Sequence, residues 1–166
     1  MKERFLSIGI DPAGIGKTGI IMKSFKSIYP KSWHVQIEAN NPIEAFEKII
    51  SWIQETKKNT SVEDFEIKHV AVELLHNGEE KFREVKATRE LIALLRYYFK
   101  RKFCGHYPKD KNLTKKKELL KKYGNKSNHW IDACCILQAH LNEENLNLRT
   151  QNYIWEEIKH GTKKSK

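Results

Sequence analysis

Residues Ile8 to Gly19 read IGIDPAGIGKTG. The close of this stretch, Gly16-Lys17-Thr18, matches the end of the phosphate-binding pattern G-x-x-x-x-G-K-[ST]. Where that pattern needs its first glycine, Asp11 stands. A phosphate cradle gathers backbone N–H groups and a lysine around negative charge, so a carboxylate within it repels the ligand. The loop must also open a helix, yet Gly19-Ile20-Ile21-Met22 starts a helix poorly and forms a strand well. The stretch therefore reads as strand, small-residue turn and strand, with Asp11 closing the first strand. It is not a nucleotide site.

Working outward, Phe5 to Ile10 is a short apolar run that predicts a buried strand ending at Asp11. Thr18 to Met22 predicts the second strand. Trp33 to Ala39 alternates apolar and polar residues, as a half-exposed third strand does. Asn41-Pro42 is a helix start, with Asn as cap and Pro in the first turn, and Ile43, Phe46, Ile49, Ile50 and Ile53 continue it at helical spacing. Lys68 to Glu73 predicts a buried strand, residues 84–100 a long helix, and Phe103 to Tyr107 a final strand. Ser127 or Asn128 caps a last helix running to about Leu141. Three strands in hairpin succession, then strands alternating with helices, predict an α/β fold with a mixed five-stranded sheet. The first three strands are antiparallel and helices flank both faces. One domain over residues 1–149 and a loosely attached tail over 150–166 are expected.

The chain has 166 residues, enough for one domain with a full core. No apolar run is long enough to span a bilayer, and the start carries no signal peptide, so no membrane association is expected. Cys104, Cys134 and Cys135 are odd in number and include an adjacent pair. That argues against disulfides and structural zinc, and for a reducing, cytoplasmic home. The net charge is +10, and its distribution is uneven. Lys100 to Lys126 holds eleven Lys/Arg against Asp110 and Glu118, while the remainder has 20 basic and 19 acidic residues. Charge gathered in one segment points to a polyanionic partner.

An unpaired carboxylate at the end of an apolar strand is costly unless it reaches the sheet's edge or meets a cation. Glu73 repeats the pattern of Asp11, following Val70-Ala71-Val72. Neighbouring strands lie about 4.8 Å apart, so two same-facing acids could share a metal. The third element is Asn128-His129-Trp130-Ile131-Asp132-Ala133-Cys134-Cys135-Ile136-Leu137, a helix apolar nearly all round and hence buried. His129 and Asp132, three apart, share a face. Strand-end acids together with a helix acid and its histidine are the groups a divalent-cation site for phosphodiester cleavage uses, with two ions about 4 Å apart.

These motifs in this order, G-I-D-P…G…T-G, then an acid after an apolar strand, then H-x-x-D-A on a late helix, resemble the RuvC-type Holliday-junction resolvases of the RNase H-like superfamily. The likeness covers about residues 5–142. It implies that Asp11, Glu73 and Asp132 are catalytic metal ligands, with His129 at a position that is aspartate or histidine among members. It also implies Mg²⁺ or Mn²⁺, two ions per site, and paired nicking of four-way DNA junctions by a homodimer. Two departures stand out. The turn after Asp11 is one residue longer than the family's pattern, and His76 occupies the place nearest its aromatic wedge, with Phe82 further on. Both imply relaxed specificity for branched DNA. Lys109, Lys111, Lys115, Lys116, Lys117, Lys121 and Lys122 would grip backbone phosphates, which positions DNA without reading its sequence. The helix carrying Leu91, Ile92, Leu94 and Leu95 reads as core, and dimerisation through it is implied by the resemblance alone.

Three rivals share parts of this pattern. Another RNase H-like nuclease, acting on RNA–DNA hybrids or flaps, would use the same acids. A sugar-kinase or actin-like ATPase shares the opening strands but needs two domains around its nucleotide. A non-catalytic branched-DNA-binding module explains the charge but has no use for three converging acids.

Overall fold

The computed structural model describes residues 4–25, 31–75, 82–111, 113–123 and 129–143. The strands are β1 (Phe5–Asp11), β2 (Gly16–Phe25), β3 (Ser32–Ala39), β4 (Glu66–Glu73) and β5 (Phe103–His106). The helices are α1 (Pro42–Lys58), α2 (Arg83–Phe99), α3 (Leu113–Tyr123) and α4 (His129–Glu143). The sheet order is β3-β2-β1-β4-β5. β1 pairs antiparallel with β2, and β2 with β3, while β4 runs parallel to β1 and β5 parallel to β4. This is the mixed α/β sheet read from the sequence. Gly16 to Phe25 is strand throughout, so no helix follows Gly16-Lys17-Thr18.

Strand periodicity divides the core in two. Leu6, Ile8 and Ile10 of β1, Ile20 and Met22 of β2, and Val70 and Val72 of β4 pack against Ala45, Ile49 and Ile53 of α1 and Leu91 and Leu95 of α2. Phe5, Ile21, Phe25 and Ala71 face the other way, onto Ile131, Ala133, Cys134 and Leu137 of α4. Strands covered on both faces read as nearly continuous apolar runs, as β1 does up to Ile10 apart from Ser7. α1 begins as predicted, with the Asn41 side chain accepting from the Glu44 N–H at 2.9 Å and Pro42 in the first turn. α2 ends one residue earlier than predicted, at Phe99, because Lys100 turns to φ 51°.

Two glycines set how closely α4 lies on the sheet. A methyl built on Gly9 would run into the Ala133 carbonyl, and one on Gly19 into the His129 carbonyl. The helix backbone therefore rests directly on β1 and β2 at its first turns. The basic segment, for which the sequence predicts no element, holds a short 3₁₀ turn (Pro108–Asp110) and then α3. Leu119 of α3 is buried against the α4 cluster. Among the described residues no helix is long and apolar enough to cross a membrane. His76, the expected caps Ser127 and Asn128, and the tail 150–166 lie outside the described residues.

Candidate functional site

Side-chain alternation decides which strand residues meet α4. Odd-numbered positions of β1 and β4 point to that face, which places Asp11 and Glu73 beside Ala71 and Gly9 rather than among the apolar residues under α1 and α2. Ile10 pairs in register with Val72, so Asp11 and Glu73 end adjacent parallel strands at the same level. The first turn of α4 is held above them from a third direction. Its His129 N–H donates to Gln36 Oε1 on β3 at 2.9 Å. The loop behind Asp11 is fixed by Thr18, whose Oγ1 accepts from the Ala13 N–H at 2.9 Å and donates to the Ala13 carbonyl at 3.1 Å. Gly14 N–H donates to Thr88 Oγ1 at 3.1 Å, tying the same loop to α2.

The four groups read from the sequence come together. His129 Nδ1 donates to Asp11 Oδ2 at 2.8 Å. Lys111 Nζ donates to Glu73 Oε1 and Oε2 at 3.0 and 2.9 Å and to Asp132 Oδ1 at 2.8 Å. Lys116 Nζ reaches the same Asp132 oxygen at 2.5 Å. The Lys111 side chain is only 8% exposed, against 27% for Lys116.

The electrostatics follow from this packing. Burial, then repulsion from Asp11, holds the Glu73 carboxyl above its ordinary value despite the hydrogen bond from Lys111. Asp132 moves the other way, because hydrogen bonds from Lys111 and Lys116 together outweigh its burial. Burial works against the Lys111 ammonium too, but bonds to Asp132 and Glu73 overcome it and raise its pKa. The hydrogen bond to Asp11 favours the imidazolium of His129 and raises its pKa against the opposing effect of burial.

Lys111 and Lys116 therefore hold carboxylates in this structure, although the sequence groups them with outward-facing phosphate contacts. Lys109, Lys117, Lys121 and Lys122 are exposed. Lys115 lies on α3, with its side chain outside the described residues. The acids are the oxygen donors a hard divalent cation takes, and their mutual repulsion calls for a cation. They are not arranged as a ligand shell. Among the described residues no three His, Cys, Asp or Glu side chains form a metal-ligating group, and the Lys111 ammonium lies between two of the acids. The donor set fits the metal expected from the sequence, and in this arrangement a lysine answers its charge.

A second ionisable cluster under α4 has no counterpart in the sequence reading. His140 Nδ1 lies 3.2 Å from His106 Nε2, and His140 Nε2 lies 3.0 Å from His69 Nδ1. The spacings 69, 106 and 140 carry no local periodicity that would reveal it.

No protein-family model and no curated protein matches this sequence. Among solved structures, the chain is similar to Thermus thermophilus RuvC, with a TM-score of 0.56 and 14% identity over 86% of this chain and 96% of that one. It is also similar to T. thermophilus RuvC in complex with a Holliday junction substrate, with a TM-score of 0.52 and 15% identity over the same shares of each chain. At such identity the likeness is one of fold, and the sheet order and helix placement agree with it: the chain has a RuvC-like, RNase H-like α/β fold.

Proposed function

We propose that this protein is a metal-dependent, structure-selective endodeoxyribonuclease that resolves Holliday junctions and related branched DNA by paired nicks. It would act as a homodimer in a reducing, intracellular compartment during recombination or DNA processing. The observation that carries the reading is the meeting of Asp11, Glu73 and Asp132, remote in sequence, under the first turn of α4 on a RuvC-like fold. A RuvC of this fold has been seen with a Holliday junction substrate, and the exposed lysines of the segment that also carries Lys111 and Lys116 suit a phosphate backbone.

Asp11, Glu73 and Asp132 would hold Mg²⁺ or Mn²⁺, with His129 as a further ligand or as the group that orients a water. When bound, the metal supplies an activated water and stabilisation of the leaving oxygen. The chain's own residues do the rest. Asp11 fixes the His129 ring through Nδ1, which leaves Nε2 as the nitrogen available to a ligand or water. The Gly9 and Gly19 contacts keep α4, and with it Asp132, seated on the strand ends. Lys109, Lys117, Lys121 and Lys122 hold the DNA backbone beside the acids without reading sequence.

The test is cleavage of labelled four-way junction, linear duplex and RNA–DNA hybrid, with and without Mg²⁺. Junction nicking that requires Mg²⁺ is expected. Asp11→Asn should reduce it by roughly 10³-fold or more, the scale at which loss of one member of a catalytic unit acts, with junction binding near normal. Preference for the hybrid would move the assignment to another RNase H-like nuclease. Tight junction binding with no cleavage in any metal would leave a DNA-binding module.

A further inference from the structure

An ammonium group has three N–H donors, and those of Lys111 are matched by three carboxylate oxygens, two on Glu73 and one on Asp132. Its side chain is 8% exposed, so this is an interior ion pair rather than a surface one. Lys116 differs, since it is more exposed and meets a single oxygen of Asp132. The Lys111 backbone is placed independently of its ammonium. It follows the 3₁₀ turn Pro108–Asp110, closed by the Tyr107 N–H donating to Asp110 Oδ2 at 2.8 Å and by the Lys111 N–H donating to the Pro108 carbonyl at 3.3 Å. The four-carbon stem can therefore swing while the turn stays closed.

A divalent cation binds carboxylate oxygens at roughly 2.0–2.6 Å. The same oxygens of Glu73 and Asp132 cannot serve it while they surround an ammonium, because the two cations would repel at contact distance. The acids need a positive neighbour in either state, because two largely buried carboxylates sharing one ammonium would otherwise be left uncompensated.

We propose that Lys111 is an exchangeable internal counter-ion. It neutralises Glu73 and Asp132 in the metal-free protein and yields those oxygens to a divalent cation, after which its ammonium turns outward to a DNA phosphate. The exchange rests on the reading that the three acids take such a cation. Its consequences are specific. The protein folds with a charge-balanced acidic site before any metal arrives. Metal affinity is lower than the carboxylates alone would confer, because each binding event displaces an existing partner. A phosphate-binding cation is released beside the acids when the metal enters.

The experiment is a brief acetylation pulse read by mass spectrometry at single lysines, with and without Ca²⁺, together with calorimetric titration of Ca²⁺ into the parent and Lys111→Met. Acetylation of Lys111 should rise roughly tenfold with Ca²⁺, while the exposed Lys109 and Lys121 stay unchanged. Lys111→Met should bind Ca²⁺ about 5- to 150-fold more tightly, the usual span of coupling between two ligands of one site. Ca²⁺ binding by Lys111→Met but not by the parent also supports the exchange. Ca²⁺ binding by the parent with Lys111 still protected overturns the exchange and leaves the acid site standing. Binding by neither protein removes the acid site itself and the exchange with it. Should Lys111→Met fail to fold, the acetylation arm on the parent still decides.

Discussion

Glu73 and His106 are register partners at the ends of β4 and β5, yet they belong to different environments under α4. On one side, Glu73 and Asp132 share Lys111, Asp132 also meets Lys116, and Asp11 meets His129, so acids and bases alternate. On the other, His140 stands between His69 and His106, with both ring nitrogens facing histidine. Both sites are substantially buried, so burial penalises charge in both. What differs is the partner. Where ammonium groups deliver hydrogen bonds to the acid, Asp132 stays ionised more readily than in water. Among the described residues His140 meets no acid at its ring nitrogens, only His69 and His106, and is pushed down to about 4 by burial and then by the charge of those two histidines. The two acids divide on the number of cations they meet: two ammonium groups outweigh the burial of Asp132, whereas burial and the charge of Asp11 outweigh the single lysine at Glu73.

The comparison breaks most severely at Asp132. Asp132→Ala leaves the Lys111 and Lys116 ammonium groups side by side with one carboxylate fewer. Unfolding free energy should drop by about 3–4 kcal/mol, as when one partner of a buried pair is removed. Urea denaturation at neutral pH measures it. A loss within a few tenths of a kcal/mol would mean the lysines do not depend on this acid.

Gly19→Ala should cost about 3 kcal/mol, the upper end for overpacking, because the added methyl meets the His129 carbonyl rather than a yielding side chain. It should also separate the two regions. The first turn of α4 lifts from the strand ends and the His129 signal in NMR loses its coupling to Asp11, while the histidine chain further along the helix is kept. Equal disturbance of both would refute the placement of α4 by its first turns.

The smallest effect is the pH dependence contributed by the histidine side. His140 has a folded pKa below its unfolded value, so between pH 6.5 and about 4 the unfolded chain binds the extra proton. Stability contributed by neutral His140 is present above that window and lost as pH falls through it, amounting to about 2–3 kcal/mol by pH 4. His140→Gln should flatten this part of the pH–stability curve, as followed by thermal melts at fixed ionic strength. If parent and variant fall in parallel, another group is responsible. His129 moves in the opposite sense: its pKa is raised, so the contribution of its contact with Asp11 is present at acid pH and fades as pH rises through that raised value.

The strands, the order of the elements and the acids at the strand ends were legible in the sequence because each is a local property. Phe5 to Ile10 is apolar at its buried positions apart from Ser7, and an acid that ends such a run must find water or a cation. Asn41-Pro42 announced its helix, and His129 and Asp132 share a face by spacing alone. The pairing of β1 with β4, the seating of α4 on Gly9 and Gly19, the insertion of Lys111 between Glu73 and Asp132, and the histidine chain were decided only in three dimensions. The physical reason is that these contacts join residues tens of positions apart. Their geometry depends on strand register and helix docking, which no run of neighbouring side chains encodes. A lysine in a basic segment looks the same in sequence whether its ammonium faces water or closes a ring of carboxylates.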